Sequence, residues 1–328
     1  MDRPADTSPL PSLHVAPSPH LSEGTTTQRV MVDVLVGLAP LVAAAVTVFG
    51  WYAVTQLAYC VASCLLAEAV FTALRRRPLS LADGSAAVTG VILGLSLPGP
   101  APWYVGLIAG FVAVGIGKAV FGGLGQNVFN PAMVGRAFVM IAFSKLVGAG
   151  GYVVADSSVH AVTQATPMTA YQQEGQVADL WELFLGTTNG SLGETSALAC
   201  IIGGLWLCFR RAAAWRIPLA AIVSAGVIAG LVNLANPDAE WTALHHLLGG
   251  ALLFGAFFIA TDPVSSPVTL KGQWIFGIGV GTLVMILRTL SNYPEGVMFA
   301  VLLMNSVTPL INRWTIPKPL GGPVPERK

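Results

Sequence analysis

Asp, Glu, Lys and Arg make up only 10% of this 328-residue sequence, so few side chains can carry chemistry and their positions are informative. Glu68 lies inside an apolar run, about two helical turns before Arg75-Arg76-Arg77. An ionised group in a bilayer costs several kcal/mol unless paired or hydrated. A carboxylate there either pairs with or snorkels toward those arginines, or serves as a proton or cation relay. Arg136, in Asn130-Pro131-Ala132-Met133-Val134-Gly135-Arg136, sits about two turns into another apolar run and must face protein, a ligand or water. Asp83, Glu194 and Glu295 stand at the starts of apolar runs, where capping a helix N-terminus is reason enough for an acid. Asp262, followed by Pro263, instead closes a run, which is the unfavourable end for a negative charge. It is therefore the acid most expected to bind something, and Glu68 and Asp262 are the candidates for an ion path.

Other motifs are less specific. Cys60 and Cys64 share a helical face, yet no His or further Cys lies near them, which favours packing over metal ligation. His245 and His246 lack further ligands and read as interfacial residues near the outer end of the apolar run at 243–261. The segment Phe121-Gly122-Gly123-Leu124-Gly125-Gln126-Asn127 has neither the Gly-Lys-Ser/Thr of a P-loop nor a preceding strand and third glycine of a dinucleotide fingerprint. Its glycines allow a close backbone approach, to a ligand or to a neighbouring helix. Thr163-Gln164-Ala165-Thr166-Pro167-Met168-Thr169 is a polar loop ahead of a proline, and composition singles out no threonine in it.

The elements that must position these residues are membrane helices. Hydrophobic residues make up 54% of the chain, against ~25% charged residues in a soluble domain where this chain has 10%. Mean hydropathy is +0.69. An ordinary cytosolic enzyme, a nucleic-acid binder and a disordered chain are all excluded, and a formal charge of +1 implies no polyanionic partner. Apolar runs near 30–52, 54–74, 82–98, 102–120, 130–149, 194–209, 217–235, 243–261, 273–290 and 295–312 approach the ~20 residues that cross a bilayer as a helix. The expected fold is an all-α polytopic membrane protein of about ten transmembrane helices.

Basic residues set the sidedness. Arg75–Arg77, Lys118, Arg210, Arg211, Arg216, Lys271, Arg313 and Lys318 fall on one side under this count, against Lys145 and Arg288 on the other. The expected organisation is a cytoplasmic tail over 1–28, which is not a cleaved signal peptide, then helices over 29–149. An extracytoplasmic segment over 150–192, helices over 193–313 and a cytoplasmic tail over 314–328 follow. Five spans on each side of the long segment permit two inverted halves.

Together the motifs resemble one family. Ser18-Pro19-His20-Leu21, the glycine-rich segment with Phe129-Asn130-Pro131-Ala132, Ala165-Thr166-Pro167, Phe257-Phe258-Ile259-Ala260-Thr261-Asp262-Pro263-Val264 and Tyr293-Pro294-Glu295-Gly296 occur in the matching order. The pattern, from about residue 16 to 315, is similar to the D subunit of the Rnf electron-transport complex. That protein is related to the B subunit of the sodium-translocating NADH:quinone reductase. The resemblance implies a membrane subunit of a redox-driven Na⁺ or H⁺ pump in the bacterial inner membrane, coupled to electron transfer between ferredoxin and NAD. It acts as a translocase only within its complex. Partners implied are the complex's A, B, C, E and G subunits and a flavin transferase.

The resemblance also implies FMN joined by a phosphoester to Thr166 on the extracytoplasmic side, its hydroxyl exposed beyond the lipid, with Thr163 and Ala165 matching the attachment motif. The family's acidic residue six positions before the threonine is replaced by His160. The quinone-reductase relatives further imply a non-covalent riboflavin, for which Asn130 and Arg136 are the candidate ligands. The rival readings from other classes are a small-solute channel of the urea-channel type without flavin, and a redox-silent scaffold.

Overall fold

The structure, a computed structural model, describes residues 25–77, 80–147, 166–188, 190–237, 239–290 and 296–317. All regular structure among them is helical. The first half comprises α1 (Thr27–Phe49), α2 (Trp51–Leu74), α3 (Ser85–Ser96), α4 (Trp103–Val114), α5 (Pro131–Ala142) and the single turn α6 (Ser144–Val147). Two short helices, α7 (Pro167–Glu174) and α8 (Leu180–Leu185), precede the second half. That half holds α9 (Ala197–Phe209), α10 (Arg216–Ala235), α11 (Ala243–Leu248), α12 (Leu252–Phe254), α13 (Leu270–Leu290) and α14 (Val297–Trp314).

Every expected span carries helix, but only α1, α2, α10 and α13 among the described helices are long and apolar enough to cross a membrane unaided. The third expected span shrinks to the 12-residue α3 and the sixth to the 13-residue α9. They meet inside the protein, where Leu192 N donates to Leu97 O at 3.3 Å and Gly193 N to Leu95 O at 2.7 Å. Leu95, Leu97 and Leu192 are fully buried there. Non-helical backbone is tolerated at membrane depth only when protein satisfies it, and this strand-like pairing does so. The eighth expected span is also broken. Gly250, at φ +69°, separates α11 from α12, and Arg288 donates to the freed carbonyls of His246 (2.6 Å) and Gly249 (3.0 Å). Arg288, expected as an outer-side charge, thus serves as a buried cap for a helix break.

Packing partners repeat between the halves. The second and fourth spans pack together (α2 on α4), as do the seventh and ninth (α10 on α13), and α4–α5 is matched by α13–α14. Across the halves α1 packs on α9 and α5 on α14, the pairing order an inverted repeat produces. Small residues make the close crossings, since apolar tails give helices no hydrophobic reason to associate. A Cβ on Gly203 of α9 would fall on the Gly37 carbonyl of α1, and one on Gly281 of α13 on the Ala221 carbonyl of α10. The opposite face of α10 presents Val223, Val227, Leu231 and Leu234 outward, a continuous apolar stripe suited to lipid.

Gly203→Ala is expected to lower the thermal midpoint, because backbone cannot yield as a flexible side chain can. Gly230→Ala on α10, whose Cβ would meet nothing within 4 Å among the described residues, is expected to leave it unchanged or add up to ~1 kcal/mol of helix propensity. Thermal unfolding of the two variants side by side checks the contrast.

Candidate functional site

Two of the expected site residues are placed by the same local rule. Asn130 and Thr166 each precede a proline and cap a helix. Asn130 Oδ1 accepts from Met133 N at 3.3 Å, and Thr166 Oγ1 from Thr169 N at 3.3 Å. An Asn or Thr cap followed by Pro at the first helical position satisfies one orphan N–H and removes another. Asn130 goes further. Its Nδ2 donates to Ile259 O at 3.3 Å, and its backbone N donates to Asn305 Oδ1 at 3.1 Å. Asn305 Nδ2 and Thr308 Oγ1 both donate to Ser265 O at 3.1 Å. Asn130 and Asn305 therefore tie α5 and α14 to the irregular chain after α12. Nothing local in the sequence singles out Asn305.

That irregular chain begins with a π turn, Gly255–Ile259, closed by Ala260 N donating to Gly255 O at 2.7 Å. A second π turn, Gly115–Ala119, extends α4 and is closed by Val120 N on Gly115 O at 3.0 Å. Such wide turns recur at functional sites. Between them lies a cavity of about 70 Å³ whose lining includes Ser85, Lys118, Asn127, Asn130, Thr261 and Asp262. Asn127 Oδ1 is buried without a hydrogen-bond partner among the described residues. Asp262 binds its own turn through Ser265 Oγ (2.8 Å) and Val264 N (3.3 Å). Desolvation holds its carboxyl above the ordinary range, and those hydrogen bonds oppose the rise without overcoming it.

Glu68 does pair, but not with the arginines. Its Oε2 accepts from Lys118 Nζ at 2.8 Å and its Oε1 from Ser80 Oγ at 2.5 Å. Lys118 Nζ donates also to Ser85 Oγ at 2.7 Å, and Ser85 Oγ to Asp83 Oδ1 at 2.6 Å. Asp83 lies one residue before the Gly84 cap of α3 and accepts from Ser85 N, the first free N–H of that helix, at 2.8 Å. Lys118, counted from sequence among the cytoplasmic surface charges, is 2% exposed. Arg75 and Arg77 instead reach backbone, donating to Ala119 O (2.9 Å) and Gly122 O (3.3 Å). With Glu68, Ser80 and Lys118 they line a second cavity of about 260 Å³.

Arg136, 6% exposed, is held by Glu194 across 3.2 Å. Glu194 therefore is not a helix cap. Ser196 caps α9, its Oγ accepting from Ala199 N at 3.2 Å. The sequence places Arg136 and Glu194 58 residues apart, so their charges could be noted but not matched.

The glycine-rich segment turns at Gly122, Gly123 and Gly125, with φ of +132°, +111° and +88°, values that glycine alone adopts readily. It borders both cavities through Leu124. Its neighbours Arg75, Arg77 and Lys118 lie at the same end as Asp262. Thr166 lies at the other end, since Gln172 of α7 donates to Arg288 O near the close of α13 at 3.2 Å. Thr166 is 4% exposed, and its hydroxyl also meets Thr169 Oγ1 at 2.9 Å, so the expected free hydroxyl is a buried cap. Tyr171 stacks on Trp241 beside it, with centroids 5.0 Å apart, and His245 bonds Ala178 O at 3.2 Å. Thr163 and Ala165 lie outside the described residues, as do His160 and Glu295.

Buried ion pairs, broken short helices and an outward apolar surface define a polytopic membrane protein of the kind that moves ions or solutes. The chain belongs to the NQR2, RnfD, RnfE family, whose model matches residues 14–321. It is 40% identical to the D subunit of a Na(+)-translocating ferredoxin:NAD(+) oxidoreductase complex of Acetobacterium woodii, covering 93% of this chain and 94% of that one. It is 36% identical to the D subunit of a proton-translocating ferredoxin:NAD(+) oxidoreductase complex of Clostridium ljungdahlii, over 94% and 96%. The D subunit of an ion-translocating oxidoreductase complex of Stutzerimonas stutzeri is 40% identical over 90% and 93%.

Proposed function

We propose that this chain is the D-type membrane subunit of a redox-driven Na⁺ or H⁺ pump, carrying FMN on Thr166 and passing electrons between partner subunits. Family membership over nearly the whole chain carries this reading. The seat of Thr166 supports it, because a phosphate esterified at this N-cap would stand at the favourable end of the α7 dipole. The basic turns at the opposite end support termini in the cytoplasm and Thr166 outside, in the bacterial inner membrane. Bound there, the flavin supplies the redox chemistry. The protein supplies position and electrostatics, and the other subunits of the complex supply the NAD and ferredoxin sites. A tether keeps the cofactor at one face through every cycle, and each ion moved against 100 mV needs ~2.3 kcal/mol from the redox drop.

The cavity near Asn130 suits riboflavin in donor chemistry, because Asn127 Oδ1 offers an unfilled acceptor. Its volume of about 70 Å³ is well below the ~300–1,000 Å³ of drug-sized ligand sites. Arg136, bound to Glu194, would act on such a ligand only indirectly.

The decisive experiment is a denaturing gel of the complex under ultraviolet light, from cells holding the transferase. A fluorescent band at 34.1 kDa is expected, and a dark one would favour the flavin-free channel. For the ion path, Glu68→Gln and Asp262→Asn are each expected to lower redox-driven ion uptake into vesicles. Unchanged uptake in both would remove these acids from the path.

A further inference from the structure

Lys118 stands where the two cavities at the basic end come together, lining both. Its ammonium fills a cage of oxygens, Glu68 Oε2 at 2.8 Å and Ser85 Oγ at 2.7 Å, with Ser80 Oγ on the other carboxylate oxygen and Asp83 behind Ser85. Carboxylate and hydroxyl oxygens are also what a hard cation such as Na⁺ selects, and what relays a proton. Glu68 faces the arginine-lined cavity, while Asp262 faces the other, so an acid waits on each side of the ammonium. Lys118 further lies on a π turn, a rare feature found frequently at functional sites.

We propose that Lys118 is a tethered cation that occupies the transported ion's cage at Glu68, Ser80 and Ser85 and vacates it during the pump cycle. This rests on the pump reading above. In the resting state the ammonium neutralises Glu68 and closes the passage between the cavities. When it swings toward Asp262, the cage is left anionic and an Na⁺ or H⁺ arriving from the arginine-lined cavity takes its place. Return of the ammonium expels the ion, so each exchange conserves charge at the cage. Lys118 is a positioning and gating residue and touches no redox centre.

The test uses the whole complex in vesicles and reads ions moved per electron transferred. Lys118→Met is expected to keep electron transfer within about twofold and to lower ions per electron by about tenfold, because the cage then holds its ion without a competitor. The melting temperature of this variant complex is expected to rise with added NaCl over matched choline chloride, or with falling pH if the ion is H⁺. The wild type should show neither response, because its cage is already filled. The double variant Glu68→Gln/Lys118→Met removes both charges together and so leaves no lone ion buried. It should likewise transfer electrons without pumping. Unchanged ions per electron in either variant would overturn the proposal. Failure of both to assemble would also overturn it, by making the pair a structural bridge. Absence of uptake by the wild type would instead fail the pump reading itself.

Discussion

Replacing Thr166 with alanine is expected to abolish covalent flavin fluorescence in the 34.1 kDa band while the complex still assembles. The phosphoester requires a hydroxyl, and this one is fixed at the head of α7 by Thr169 N and Thr169 Oγ1. Alanine also deletes the cap, at ~1 kcal/mol, too little to unfold a bundle whose long helices are packed elsewhere. Asparagine separates the two roles, since it caps as well as threonine but cannot be esterified by the transferase. Thr166→Asn should therefore be as dark as alanine with native thermal stability, and Thr166→Ser should stay bright. A bright asparagine variant would move the attachment to another hydroxyl. The burial of Thr166 adds an order of events. Thr166 is 4% exposed with α7 in place, so under the proposed attachment flavin transfer is expected to precede docking of α7 or to reopen it.

Breaking the Arg136–Glu194 pair is expected to destabilise the membrane region strongly. Both partners are at most 7% exposed in their side chains, so truncating either removes a counter-charge from a group held away from water. Removal of one member of a buried pair typically costs ~3–5 kcal/mol, whereas replacing both by neutral groups of similar volume is often close to neutral. Arg136→Ala and Glu194→Ala are each expected to lower the yield of assembled complex several-fold and to lower its melting temperature. Arg136→Met/Glu194→Gln is expected to recover most of both. Equal loss in the double variant would show that each residue acts through other contacts. Glu194 lies next to Gly193, whose N–H bonds Leu95, so the pair also pins the junction where α3 and α9 meet.

Much of the architecture was legible because a bilayer imposes a simple rule on composition. Long apolar runs had to be helices. Asn130 and Thr166 each cap a helix that opens on the following proline, a local satisfaction of orphan N–H groups, yet the stretch around Thr166 reads from sequence only as a polar loop before a proline. What misled was length. The runs at 82–98 and 194–209 looked like full spans, yet α3 and α9 are half as long as α2 and end inside the protein. Hydropathy measures how apolar a segment is and says nothing about whether its neighbour supplies the backbone partners that let it stop early.

The amino-acid order alone determined that this is a many-helix membrane protein, and it exposed the handful of ionisable groups that must matter there. Which of those groups meet was settled only by tertiary packing. Glu68 finds Lys118 and Arg136 finds Glu194 across separations of 50 and 58 residues. No short-range signal encodes such a match, because helical periodicity fixes the face a residue occupies, while the partner on that face depends on how whole helices cross. Crossing was set by glycines such as Gly203 and Gly281, whose missing side chains let backbones touch.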